Sequence, residues 1–367
     1  MLTRKQIGIS LSKLRRLTAR YFPQIRIGLI IVGFILLVLI FRALLPFFVS
    51  GGRIIRGAIS GGVSLTSQSA EELQGENGRV NLLILGISGE ERAGIDLTDT
   101  IIFLSTDPKT GNALILSLPR DIWIASMRAK LNTAYHYGNQ KKPGGGLVLA
   151  KAAVAEILDQ PADYGLVINF GGFEQIIDIL GGVAVNVENS FDDYFYPIPG
   201  KENDECEGNP EYRCRYEHLH FNAGEQIMDS ERALKYVRSR YAEGEEGTDY
   251  ARSRRQQRLL VAIKSKLFSP RVFCNPFKLV QLIKVAQQNF ETDISQKDWG
   301  GMAKLLLKMR SANLKSEVLD GGAESKEGYL IIPSPDPERY DNHWVLIPRT
   351  GDWEEIQKYL RELLSKN

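Results

Sequence analysis

Between Ile27 and Phe41 no side chain is polar, and after Arg42 the apolar run resumes through Val49. As a helix rising roughly 1.5 Å per residue, these 23 residues extend about 34 Å, enough to cross a hydrocarbon core. Arg42 lies near the far end, where a long side chain reaches the headgroups. Seven basic residues (Arg4, Lys5, Lys13, Arg15, Arg16, Arg20 and Arg26) precede the run, and the first acid in the chain is Glu71. A net charge of +2 over 367 residues conceals this asymmetry. A buried core helix would not carry such a flank, and a cleaved signal peptide has a shorter apolar region, although Gly51-Gly52 leaves room for cleavage. The positive-inside rule then predicts a cytoplasmic segment 1–26, a single span 27–49 and everything beyond it outside the cytoplasm, in a cell membrane.

After the span, residues 50–78 are Gly- and Ser-rich and read as a flexible linker. Apolar runs at 80–87, 100–105 and 113–118 read as strands covered on both faces, as in a layered α/β domain. Further strands are expected at 164–170 and 183–187. Helices are expected at 146–158, 173–180, 224–236, 249–268, 276–290, 295–309 and 353–364, and late strands at 330–333 and 344–348. One α/β domain over 79–367 accommodates them. Cys206 and Cys214 bracket a polar loop and make a plausible hairpin staple in an oxidising compartment; Cys274 is expected to be a buried thiol. His218 and His220 share one side of any strand that carries them.

Three constellations carry chemistry. Asp96-Leu-Thr-Asp99 places two carboxylates in a turn, as either ordinary solvated acids or oxygen ligands for a hard cation such as Mg²⁺. Ser117-Leu-Pro-Arg120-Asp121 stops a buried strand at Pro119 and sets Arg120 at its carboxyl end, where open α/β sheets gather ligands. Arg120 is either a phosphate-binding fork or a surface partner of Asp121, and Lys130 and Asn132 lie close enough in sequence to supplement it. The third is Arg238-Ser-Arg240 followed by Asp249-Tyr-Ala-Arg252-Ser-Arg-Arg255-Gln256. At about 100° per residue, Arg252 and Gln256 align with Leu259, Ile263 and Leu267, with Arg255 at the edge, whereas Arg254 and Arg258 point away. Buried arginine needs an anion. Arg238 and Arg240, if extended, share a face. An internal anion site fits better than a nucleic-acid surface, so no nucleic-acid partner is expected. A nucleotide P-loop, a Gly-x-Ser-x-Gly elbow and a zinc-binding helix are all missing from the sequence.

In order along the chain, Asn81-Leu-Leu-Ile-Leu-Gly86, Leu97-Thr-Asp-Thr100, Ser117-Leu-Pro-Arg-Asp121, Lys130-Leu-Asn132, Leu180-Gly-Gly-Val183, Ala233-Leu-Lys-Tyr-Val-Arg-Ser-Arg240 and Asp249-Tyr-Ala-Arg252 with Arg255-Gln256 resemble the LytR-CpsA-Psr family of bacterial envelope proteins. The likeness covers about 79–268; the remainder, 269–367, is expected to complete the sheet and cap it with helices. The resemblance implies a single α/β/α layered domain with a mixed, largely buried central sheet and an apolar pocket for a polyprenyl chain. It implies a phosphotransferase that moves a glycopolymer from a polyprenyl-diphosphate carrier in the membrane to peptidoglycan or a related wall acceptor, assisted by Mg²⁺ or Mn²⁺. By matching position, Asp99 serves the metal, and Arg120, Arg238, Arg240, Arg252 and Gln256 bind the diphosphate, with Arg255 in support. Arg120, Asp99 and Arg252 are the expected catalytic residues. One departure stands out: the family's Leu-Gly-x-Asp reads Leu85-Gly86-Ile87-Ser88 here, leaving Asp96 to replace the missing carboxylate. That departure motivates a second reading, a lipid-binding regulator without turnover; a third is a lipid-diphosphate hydrolase, with water replacing the sugar acceptor.

Overall fold

A computed structural model describes residues 69–73, 75, 78–88, 96–319, 322–323, 326–333 and 336–366. The expected segments 1–26 and 27–49, with most of 50–78, lie outside them. No helix among the described residues is long and apolar enough to cross a membrane. Ala70 and Leu73, in the stretch read as linker, are buried with Val80, Tyr164 and Leu305, so the folded unit begins before residue 79.

Strands β1 (Val80–Ile87), β2 (Thr98–Thr106) and β3 (Ala113–Ser117) form an antiparallel meander. Strand β4 (Tyr164–Asn169) lies parallel to β1, a pairing that requires a crossover connection. Two strands that the sequence pattern did not reveal close the sheet: β5 (Phe290–Thr292) beside β4 and β6 (Leu314–Val318) beside β3. The order β5-β4-β1-β2-β3-β6 makes a mixed sheet, as expected.

Register decides what each face does. Leu83 pairs with Phe103 and Leu85 with Ile101, and with Leu114, Leu116 and Val167 they enter a closed core against helices α1 (Gly145–Leu158) and α5 (Glu354–Ser365). The alternate residues Ile84, Gly86, Thr100, Ile102 and Ile168 face helices α2 (Phe170–Leu180), α3 (Ser230–Arg238) and α4 (Asp249–Leu267) across a cavity. Both faces are covered, but only one is packed solid. Gly86 contributes to the opening: a Cβ there would come within 2.9 Å of the Thr100 Cβ.

The expected helix at 224–236 is a strand followed by a helix. Gly224, at φ +104°, opens a strand Gly224–Met228 that pairs antiparallel with Val183–Val187. Asp229 then caps α3 by accepting a hydrogen bond from the Arg232 N–H. Similarly Asn169 accepts from the Gly172 N–H, so α2 begins at Phe170, which the pattern assigned to the strand. A second unforeseen pair, Phe191–Pro197 with Tyr216–Phe221, carries the loop stapled by the expected Cys206–Cys214 disulfide. His218 and His220 do share a face, and both meet one oxygen of Asp192, at 2.6 and 2.8 Å.

Cys274 is exposed, not buried, because it caps the short helix Pro270–Phe273 at the surface. A maleimide should therefore label one cysteine per native, unreduced chain and three after reduction and unfolding. Mass spectrometry distinguishes these counts, and labelling of Cys206 or Cys214 without reductant would contradict the pairing.

Candidate functional site

Pro119 ends β3 and delivers Arg120 to the sheet's edge, where its guanidinium pairs with Asp99 of β2 and with Asp121, at 3.2 Å from the latter. Burial opposes the charge, but Asp99 and Asp121 outweigh it and hold the Arg120 pKa above its ordinary value. The buried Asp121 also binds Lys130, at 2.7 Å. The Asn132 N–H donates to the Arg120 carbonyl at 3.0 Å, and its own carbonyl accepts from Thr98. Lys130 and Asn132 thus hold the Arg120 turn, and the buried Asn132 Oδ1 has no partner.

Across the cleft, Thr248 caps α4 and sets Arg252 one turn in and Gln256 two turns in. Arg252 is 6% exposed. It meets Asp249 at 3.0 Å and the Asp99 carbonyl at 3.5 Å, while its Nε has no partner. Burial, only partly offset by Asp249, lowers its pKa to about 10, so it stays charged at neutral pH, paired with Asp249 but with one donor unsatisfied. Arg240 approaches the same Asp249 at 4.0 Å. Asp99, Arg120, Asp249, Arg252 and Gln256 line one narrow cleft of about 10 Å³.

Gln256 also lines the cavity beneath, about 100 Å³ between the sheet and the helices, whose walls include Ile84, Ile102, Ile168, Phe173, Val237 and Leu260. At the other end Asn169, Phe170 and Leu234 lead to an open groove of about 1130 Å³ that holds Asp96, Glu174, Glu217 and Glu231 beside Lys235 and Arg238. Arg238 closes α3, with its guanidinium over the Phe170 ring at 4.7 Å. It is helical rather than extended, so it does not share a face with Arg240 by strand alternation. The apolar cavity therefore has a rim of mixed charge: Gln256 joins it to the cleft of Arg120 and Arg252, with Asp99, Asp121 and Asp249, and Arg238 lies at the other end among Asp96, Glu174, Glu217 and Glu231.

Arg255 lies outside that rim. It is wholly buried and donates to the carbonyls of Tyr236, Ser239 and Glu246 and to the Glu246 carboxylate, with no part in the cleft lining. Arg254 and Arg258 point away as the helical wheel requires, and both pair with Glu188. Sequence reasoning named Asp121 only as a surface partner of Arg120, whereas it is buried, and it missed the role of Asp249. Asp249 stands three residues before Arg252, the spacing of a helical ion pair, and was legible on that ground.

The expected metal carboxylates line different spaces. Asp99 borders the cleft, paired with Arg120, and Asp96 borders the open groove, 3.4 Å from His136. Among the described residues, Asp204, Cys206 and Cys214 are the one trio of potential ligands brought together, and its two cysteines are bonded to each other. Asp99 is thus the one carboxylate of the expected pair at the cleft, half-exposed and with one oxygen on Arg120.

Comparison with known proteins agrees with this architecture. A curated relative, the polyisoprenyl-teichoic acid–peptidoglycan teichoic acid transferase TagU of Oceanobacillus iheyensis, is 26% identical over 279 residues, covering 74% of this chain and 77% of the relative. Among solved structures, TagV of B. subtilis superposes with a TM-score of 0.53 at 23% identity, covering 79% of this chain and 98% of that one. TagT bound to LIIa-WTA gives 0.51 at 22% identity, covering 82% and 98%. The family model for the LytR_cpsA_psr family matches residues 59–359, and the chain belongs to that family.

Proposed function

We propose that this chain is a membrane-anchored phosphotransferase that moves a glycopolymer from a polyprenyl-diphosphate carrier to peptidoglycan or a related wall acceptor. One observation carries the reading. A buried arginine with an unpartnered Nε lines a cleft that shares Gln256 with an apolar cavity, an arrangement suited to an anionic head joined to a hydrocarbon tail. The curated relative's name specifies transfer of teichoic acid from a polyisoprenyl-linked form to peptidoglycan, which supports the reading.

In this reading the prenyl chain fills the cavity and the diphosphate lies along its rim, held by Arg120, Arg252, Arg240 and Gln256 on one side and Arg238 on the other. Arg120 then exchanges part of its pairing with Asp99 for phosphate. The acceptor hydroxyl oxygen bonds to the phosphorus that bears the glycan, the bridging P–O bond breaks, and polyprenyl monophosphate leaves as the hydroxyl proton passes to solvent. The fixed guanidinium groups stabilise charge on the leaving phosphate. A magnesium or manganese ion, held by Asp99 and phosphate oxygens, would add positive charge there. Asp96 would join it only by leaving His136. The proposed N-terminal span would anchor the chain in the membrane in which the carrier resides.

The test incubates the full-length chain in detergent with a polyprenyl-diphosphate glycan, a soluble peptidoglycan oligomer and Mg²⁺. The expected products are a phosphodiester between glycan and oligomer and free polyprenyl monophosphate, with turnover lost on chelation. Tight carrier binding without product would favour the regulator, a reading motivated by Ser88 in place of the family's aspartate. Glycan phosphate released without acceptor modification would favour hydrolysis.

A further inference from the structure

The stretch that carries Arg238 and Arg240 is gripped by two buried charges that contribute nothing to the cleft. Asp193 and Arg255 are both wholly buried. One carboxylate oxygen of Asp193 accepts from the Ser239 hydroxyl at 2.6 Å, the Arg240 N–H at 3.2 Å and the Tyr241 N–H at 3.3 Å. Its other oxygen accepts from the Phe195 N–H at 3.0 Å. From α4, Arg255 donates to the Tyr236 carbonyl at 3.0 Å and the Ser239 carbonyl at 2.7 Å, capping the last turn of α3. The Phe191 ring supports its guanidinium at 4.8 Å, and Glu246 balances its charge.

We propose that Asp193 and Arg255 are positioning residues for the donor-binding arginines Arg238 and Arg240, an inference that rests on the transferase reading above. The argument is one of polar satisfaction. Beyond α3 the chain makes a single antiparallel bridge, Asp193 to Ala242, so the N–H groups of Arg240 and Tyr241 have no strand ladder to satisfy them. A carboxylate supplies both from one oxygen and thereby fixes the direction in which the Arg240 side chain leaves the backbone. Arg255 does the same for the Arg238 end through carbonyls. Apolar side chains of similar volume would fill the space and generally cost less to bury. They would not orient the backbone of two arginines that must meet one anion.

A double-mutant cycle in the full-length chain tests this, with farnesyl diphosphate as the probe and melting temperature measured in parallel. Asp193→Asn should weaken binding about 10-fold and Ser239→Ala about 3-fold, as for loss of hydrogen bonds to a charged group. In an Arg240→Ala background each should change binding by less than about 2-fold, whereas its effect on melting should be undiminished. A merely structural role would give the same binding loss in both backgrounds, and that result overturns the inference. If Asp193→Asn does not fold, the milder Ser239→Ala carries the cycle. Binding weakened by Arg240→Ala but by neither Asp193→Asn nor Ser239→Ala sinks this inference alone. A wild-type chain that does not bind farnesyl diphosphate sinks the transferase reading together with it.

Discussion

Arg252→Ala should lower transfer by about 10²–10³-fold, the usual cost of removing one fixed donor from a developing oxyanion. The melting temperature should move little. Arg252 is buried but incompletely satisfied, with an unpartnered Nε and a pKa depressed by burial, so its charge already strains the folded state. Removing it relieves desolvation while freeing Asp249, which is partly exposed, to solvent. Arg255→Ala, three residues along the same helix, should behave in the opposite way. It leaves Glu246 and two helix-terminal carbonyls without their donor, and breaking such a buried pair costs roughly 3–5 kcal/mol of stability. Turnover and thermal melting of the two variants, measured side by side, check the contrast. Equal destabilisation by both would mean that Arg252 is structural.

The second large effect belongs to the cavity. Leu260→Trp places an indole in space that is empty, not packed, so stability should change by less than about 1.5 kcal/mol. Excluding five methylene-sized groups of a prenyl chain, at about 0.8 kcal/mol each, should weaken binding of a prenyl diphosphate by about 10³-fold. Inorganic pyrophosphate, which has no tail, should bind as it does to the wild type. Calorimetric titration with both ligands reads this directly. Parallel loss of both would show that the substitution had distorted the rim, and loss of neither would remove the cavity from the account.

How far the sequence revealed this arrangement depended on the kind of signal. The meander was legible because 80–87, 100–105 and 113–118 are apolar runs punctuated by turns. Arg120 was legible as a donor at a strand end because Pro119 stops β3. The inward stripe of Arg252 and Gln256 followed from helical periodicity. What periodicity cannot show is whether a covered face is also filled. The runs that read as buried on both sides enclose a cavity on one of them, and that depends on how far α3 and α4 stand from Gly86 and Thr100. Nor does a pattern of arginines say which of them already have partners. Arg255 looked like a neighbour of Arg252 in function, but its partners Tyr236, Ser239 and Glu246 lie 9 to 19 residues away along the chain. Asp193 was invisible for the same reason: its strand was too polar to register, and its significance lies in backbone N–H groups contributed from 46 to 48 residues later. Gly224–Met228 was taken for helix because its pairing with Val183–Val187, across some 40 residues, outweighs local preference.

A crystal structure of the chain with farnesyl diphosphate would decide whether one ligand answers both the apolar cavity and the arginines at its rim. The account predicts the prenyl chain between β1–β2 and α4, with the diphosphate within hydrogen-bonding distance of Arg252 Nε and of Arg120. A prenyl chain outside the cavity, or a diphosphate held instead by the outward-facing Arg254 and Arg258, would contradict it.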